Sequence, residues 1–269
     1  MKKLSTILIA LLLLLSAEGQ ILRYSNYTTP TPPEPEPELR GPDELWDGHT
    51  KAWYAWDTLV SVTSEHVTQW DDISGNDYHL LPYATDGSAG TADNRPAWHT
   101  TDGITFDGTD DAMRVTIAGW TTAGTIYAVI SQQSWTDNDV MFGYAGTGSI
   151  RVAQDNTGEG ASPNLHLIHA SGSSLAITGL ATDTRGIFVM HVDIATDAAS
   201  LALNGGAAVT NATDMEGFTS GGVLLGASHA AAPALQRWGN VRIWEIIYRD
   251  QVDSGATLTA IYNYLDAKY

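Results

Sequence analysis

From residue 43 onward, short runs of alternating apolar and polar residues are broken by clusters of Gly, Asp, Asn and Thr. A period of two is that of a strand with one buried face, and the breakers are turn residues. The pattern predicts strands over 51–58, 103–106, 113–117, 125–132, 140–144, 149–154, 164–169, 186–194, 200–203, 207–210, 222–227 and 238–248. In 187–194 the apolar Phe188, Met190, Val192 and Ile194 fall on one face, while His191 and Asp193 share the other. That strand is expected to have one buried and one more polar side. Asn204-Gly205-Gly206 tolerates positive φ and predicts a tight hairpin. Only the C-terminus has helical spacing. Ser254 is placed to cap, and Leu258, Ile261, Tyr262 and Leu265 form an apolar stripe. No longer repeat is present, so propellers and solenoids are excluded. The elements add up to an all-β fold: a two-sheet antiparallel sandwich with one C-terminal amphipathic helix.

The first 42 residues read differently. Lys2 and Lys3 precede an apolar run from Ile7 to Leu15, followed by the small residues Ser16, Ala17 and Gly19. This is the pattern of a signal peptide with cleavage before Gln20. The alternative is an N-terminal hydrophobic segment that is retained as a buried or assembly-forming helix. The run is shorter than the roughly 20 apolar residues a membrane span needs. Residues 28–42 hold six prolines in fifteen positions, interleaved with Glu34, Glu36 and Glu38. Fixed φ and missing donors make that stretch an extended spacer. The chain thus divides into 1–19, a tail and Pro/Glu-rich linker over 20–42, and a sandwich domain over 43–269. The tail over 20–42 could also dock on a second copy of the chain, or on a neighbour in a virion or filament.

Charge narrows the partners. With 13 Lys+Arg against 31 Asp+Glu, the formal net charge is −18. Nucleic-acid binding draws its affinity from basic residues, so no nucleic-acid partner is expected. The same field favours neutral polysaccharide over sulfated or uronic chains. Cysteine is absent, which removes disulfides, thiol nucleophiles and Cys-based zinc sites.

Several motifs carry a family resemblance. Ala52-Trp53-Tyr54 and Gln69-Trp70-Asp71-Asp72-Ile73-Ser74-Gly75-Asn76 resemble the opening of laminin-G-like, concanavalin A-like jelly rolls of bacterial and phage surface proteins. Arg95-Pro96, then Phe106-Asp107-Gly108-Thr109-Asp110-Asp111, continue the likeness. Arg242-Ile243-Trp244-Glu245-Ile246-Ile247-Tyr248 and the terminal 264–269 resemble the family's last strand and helix. The resemblance implies a concanavalin A-like jelly roll. That fold hosts lectins, adhesion domains and some hydrolases, so function must come from a site.

Two acidic turns could hold Ca²⁺, which takes six to eight oxygen ligands. Asp72 and Asn76 lie in one, Asp110 and Asp111 in the other, and the resemblance implies that the two could share an ion. The alternative is that these side chains accept backbone N–H bonds and hold their turns. His166 and His169 are three apart in a predicted strand, point to opposite faces and do not chelate together. No G-x-S-x-G elbow, Walker loop or paired-carboxylate motif E-x-D-x-x-E occurs. Aromatic residues near turns suit sugar rings, which stack their C–H faces on Trp or Tyr while polar side chains read the hydroxyls. The candidates are Trp120, Trp135 and Tyr144, with Asp137, Asn138 and Asp139 beside them. The competing reading makes each tryptophan a plug in the core. The sequence therefore points to an exported or virion-surface protein that binds cell-surface or extracellular polysaccharide. The alternatives are a fibre, filament or capsid-decoration subunit that binds no sugar, and a secreted polysaccharide-degrading enzyme.

Overall fold

A computed structural model of the chain describes residues 41–84, 88, 90–117, 123–136, 139–145, 150–155, 164–169, 174–211, 222–231 and 234–269. The chain divides into two units, 1–40 and 41–269. The first lies wholly outside the described residues, and with it the expected signal segment and most of the spacer.

In the second unit the strands are β1 (Thr50–Ala55), β2 (Val60–Thr63), β3 (His66–Trp70), β4 (Leu81–Pro82), β5 (Ala97–His99), β6 (Gly103–Asp107), β7 (Met113–Thr116), β8 (Ala123–Gln132), β9 (Val140–Ala145) and β10 (Ile150–Asp155). They continue as β11 (Asn164–His169), β12 (Ser174–Thr178), β13 (Gly186–Asp193), β14 (Ala198–Leu203), β15 (Val209–Asn211), β16 (Gly222–Leu225), β17 (Ser228–Ala231), β18 (Ala234–Gln236) and β19 (Asn240–Arg249). One helix, α1 (Gly255–Lys268), closes the chain. The first sheet runs β15-β14-β13-β8-β19-β6-β5-β3-β2, with β1 also pairing β19. The second runs β12-β11-β10-β9-β16-β7-β4. Strand pairing within both is antiparallel, as in a sandwich.

Between the sheets lies one apolar core, to which Tyr54, Trp70, Phe106, Phe142, Phe188, Met190 and Ile246 contribute fully buried side chains. The tryptophans of the family-like motifs are structural. Trp53, Trp70 and Trp244 are all buried. One expectation needs correction: the far side of β13 is not a solvent-facing polar face. Ile187 and Val189 join Tyr127, Val129, Trp53, Trp244 and Ile247 in a second apolar layer on the outside of the first sheet. Helix α1 covers that layer with Ile261 and Leu265, which are fully buried. Each burial is worth roughly 2 kcal/mol of transfer free energy. Only His191 and Asp193, at the end of β13, stay half-exposed as the pattern implied. Ser254 sits at the N-cap position with extended backbone, yet its side chain makes no capping bond.

The start of α1 is fixed by a buried polar network instead. Arg249, fully buried, pairs with Asp47 and Asp253 at 2.7 Å each and donates to the Glu44 carbonyl and Thr50 Oγ1. Burial works against its charge, but the bonds to Asp47 and Asp253 outweigh that and hold its pKa above the ordinary arginine value. Tyr127 donates to Asp253 at 2.9 Å. Buried ion pairs of this kind fix geometry more than they add stability. Here the geometry fixed is the angle at which the chain leaves β19 and enters the helix.

Candidate functional site

Helix α1 does not cover the whole outer layer. Beside it, a cleft of about 410 Å³ opens over β13, β14 and the turn that follows. Its walls are Val189, His191 and Ala202, the turn residues Gly205, Gly206 and Ala208, and Leu258, Thr259 and Tyr262 from the helix. The turn is shaped by its sequence: Asn204 and Gly205 both have positive φ, 50° and 66°. Glycine at 205 is needed twice over. A Cβ there would sit 3.1 Å from the Tyr262 ring and hydroxyl, so the ring packs directly against bare backbone.

His191 of the cleft wall is held in a defined proton arrangement by groups buried behind it. Thr125 donates its single hydroxyl proton to the Gln251 carbonyl at 2.8 Å. Its oxygen also accepts the Asp253 N–H at 2.9 Å. The 2.9 Å contact between Thr125 Oγ1 and His191 Nδ1 must then be a bond donated by the imidazole. Nε2 is left as an acceptor. Burial lowers the His191 pKa below the usual histidine value, with Asp253 opposing, so the ring stays neutral. Thr259 Oγ1 donates to the Gly255 carbonyl and keeps its lone pairs. An aromatic wall, apolar sides and a few fixed polar atoms are the composition of a small-molecule site, and the volume falls within the roughly 300–1,000 Å³ such sites have.

The residues expected from sequence lie elsewhere. Trp120, Asp137 and Asn138 fall outside the described residues. Tyr144 is in β9, and nothing is described of its side chain. Trp135 is half-buried against the main core, with its Nε1 buried and without a hydrogen-bond partner. Its indole packs against that core as a partly buried side chain. Asp139 is half-buried, donates its N–H to the Thr136 carbonyl and accepts the Gln154 N–H.

The acidic turns do not pool their ligands. Asp72 accepts N–H bonds from Trp53, Ser74 and Tyr78 and a hydroxyl bond from Ser74, all between 2.9 and 3.1 Å. Asn76 donates to the carbonyls of Thr50 and Lys51. Both residues hold the turn against β1. Among the described residues, the acidic groups that converge are Asp107, Asp110 and Asp111, within 4.8 Å of one another. Asp72 is not among them. Asp107 accepts N–H bonds from Thr109 and Asp110, and Asp111 accepts that of Asp107. Burial first, then repulsion by Asp107 and Asp110, pushes the Asp111 pKa up to about 7.

Glu245, the acid inside β19, is also structural. Fully buried, it accepts bonds from Trp53 Nε1 at 2.7 Å, Lys268 Nζ at 2.8 Å and the Tyr269 hydroxyl at 2.7 Å. Arg185 lies over the Trp244 and Tyr269 rings beside it.

No family model and no curated protein matches the sequence. Solved structures do match the fold. Domain 4 of an extracellular arabinanase of Geobacillus stearothermophilus, solved with arabinotriose, is 15% identical with a TM-score of 0.52, covering 80% of this chain and 97% of that one. Trypanosoma rangeli sialidase is 10% identical with a TM-score of 0.52, and the match spans 82% of this chain but 33% of the sialidase. The binding domain of botulinum neurotoxin serotype D/C matches at 10% identity and a TM-score of 0.51, over 81% of this chain and 52% of that one. The chain thus spans about a third of the sialidase it matches. These likenesses show a β-sandwich fold and nothing finer. No helix among the described residues is long and apolar enough to cross a membrane.

Proposed function

We propose that the sandwich is a carbohydrate-recognition domain of an exported or virion-surface protein. The observation that carries this reading is the cleft, which is lined both by the Tyr262 ring, packed on Gly205, and by His191, whose Nδ1 is engaged by Thr125. A pyranose stacked on the tyrosine places hydroxyls toward His191 and Thr259, the usual division of labour between an aromatic platform and polar readers. The arabinanase domain solved with arabinotriose supports the reading, because that domain is almost wholly covered by the match. Export rests on the charged and apolar N-terminal segment, which reads as a signal peptide. Glu245, the acid of the family-like last strand, is committed to holding the helix, which favours binding over hydrolysis.

A shallow open cleft gives weak single-site affinity, on the order of 10–1,000 μM, with avidity from multiple copies. The test is a panel of neutral oligosaccharides, arabinan fragments included, probed with the protein displayed on a multivalent support. Retention of at least one ligand is expected, and Tyr262→Ala should reduce it at least tenfold while the fold persists. A panel without any ligand, even in multivalent form, would replace this reading with that of a structural decoration domain.

A further inference from the structure

The outer apolar layer of the first sheet ends at a row of hydrogen-bond donors. On β8, Tyr127 and Val129 face outward into that layer, and Ser131 follows on the same face. Ser131 pairs with Arg242 of β19, and Arg242 pairs in turn with Thr105 of β6. On the other side of β8, Gly186 pairs with Ile130. Arg185, directly before β13, therefore stands level with Ser131 and continues the outward positions of Ile187 and Val189. The alternate residues Ile104, Phe106, Ile130, Val241 and Ile243 belong to the core between the sheets. Thr105, Arg242, Ser131 and Arg185 thus lie in one cross-strand row on the outer face, on strands about 4.8 Å apart.

Both arginines of the row rest on one side chain. The Arg185 guanidinium lies 5.4 Å from the centroid of the Trp244 ring, and that of Arg242 lies 6.0 Å from it. Arg185 is exposed and Arg242 half-exposed, so the row is open to solvent. Arg242 donates Nε to Thr105 Oγ1 at 3.3 Å, which leaves its terminal N–H groups to point elsewhere. Among the described residues neither arginine has an ion pair, in a chain with 31 acidic residues. Glu245, the acid next to Trp244 on β19, is committed to Trp53, Lys268 and Tyr269. Two buried donors complete the set. Trp244 is 6% exposed, and its Nε1–H is buried without a hydrogen-bond partner. The adjoining edge of its ring faces Gly103, where a Cβ would stand 3.2 Å from Cδ1, so no side chain at that position covers it. Ser131 is 1% exposed; its oxygen accepts Gln133 Nε2 at 3.0 Å, and its own proton has no acceptor among the described residues. Buried donors without acceptors are costly to a fold, and here they adjoin two cations that lack an anion.

We propose that Arg185, Ser131, Arg242 and Trp244 form a site for a tetrahedral oxyanion, a sulfate or phosphate group. Every polar side-chain group of the set that lacks a partner is a donor, which is the complement of an anion and not of a neutral hydroxyl. The donors come from three neighbouring strands. An anion with three or four oxygens accepts from such separate directions, whereas a carboxylate offers two oxygens in one plane. The guanidinium forks match such oxygens, and one anion between the two arginines removes their mutual repulsion. The net charge of −18 repels densely charged polymers, so the site suits a single charged group. It shares no residue with the Tyr262 cleft and does not depend on the reading of that cleft.

The probes are sodium sulfate, sodium phosphate and sodium acetate, titrated into the ¹⁵N-labelled full-length protein at constant ionic strength held with sodium chloride. Sulfate or phosphate should move the Trp244 indole N–H signal saturably, because that donor gains an acceptor, and the tighter of the two identifies the group. Acetate should bind at least tenfold more weakly. Arg185→Gln, at an exposed position, should weaken binding at least tenfold and leave the melting temperature in chloride nearly unchanged. Arg185→Lys should give intermediate affinity, because charge is kept and the fork is lost. Tyr262→Ala should leave anion binding as it is. Acetate binding equal to that of sulfate and phosphate would overturn the tetrahedral assignment. Binding that persists unchanged in Arg185→Gln, or that leaves the Trp244 indole signal unmoved, would put the anion elsewhere and overturn the site. A wild-type protein with no saturable response to sulfate or phosphate would overturn the proposal, whatever the sugar panel shows.

Discussion

At Thr125 one hydroxyl proton decides what the cleft can recognise. Because that proton goes to the Gln251 carbonyl, His191 must donate through Nδ1 and present Nε2 as an acceptor. Burial holds its pKa below the ordinary histidine value of about 6.5, so the acceptor persists as the pH falls to that value and is lost only lower. Affinity for a cleft-bound sugar is expected to stay flat from pH 8 to about 6.5 and to weaken below it, in titrations at stepped pH. The linked stability has the same sign. The unfolded chain protonates this histidine at the higher pH, so folding loses stability as the pH drops past the unfolded value. His191→Gln should remove both dependences, and affinity that rises on acidification would contradict the tautomer. Trp135 gives a second residue-scale outcome. It packs on the core, so Trp135→Ala should cost about 2 kcal/mol in denaturant unfolding, less than the roughly 3–5 kcal/mol of a fully buried tryptophan. A glycan-stacking Trp135 would leave stability unchanged and abolish binding.

The C-terminal helix is held at both ends by groups that belong to the strands beneath it. At its start the Arg249–Asp253 pair is buried, and at its end Lys268 and Tyr269 meet Glu245. Removing Glu245 leaves the buried Trp53 indole N–H without its acceptor, and leaves the Lys268 ammonium with Asp57 at 3.2 Å and the Tyr269 hydroxyl with the Trp244 carbonyl at 3.4 Å as their remaining partners. Glu245→Ala should therefore cost about 3 kcal/mol, read as a shifted denaturant midpoint. Near-wild-type stability would mean that the clamp contributes little. Elements of this size were legible in the sequence where alternation was long. Segments such as 125–132, 164–169 and 186–194 coincide with β8, β11 and β13 to within two residues. The short strands β2, β4, β5, β12, β17 and β18 were not visible, because two to five residues give too few alternations to establish a period. The outer apolar layer was also missed on β13, where Ile187 and Val189 are followed by His191 and Asp193, and only the helix overhead makes the difference.

Residues 41–269 form a sandwich whose two outer faces differ: one is roofed by the helix and opens as an aromatic-walled cleft, while the other bears the β17–β18 hairpin. The cleft was not readable beforehand. The cleft joins positions 191, 205 and 262, each of which has a sufficient structural reason in the sequence: a strand's polar face, a hairpin glycine, a helical stripe. Turn-placed tryptophans drew attention instead, and the described one, Trp135, serves the core. The central claim is that the cleft is where sugar binds. The most direct measurement is a ¹H–¹⁵N titration of the labelled full-length protein with the best ligand of the neutral panel. The account predicts shifts concentrated at the amides of His191, Gly205, Gly206, Ala208, Thr259 and Tyr262. Shifts confined to the 133–139 loop, with those six amides unmoved, would contradict it.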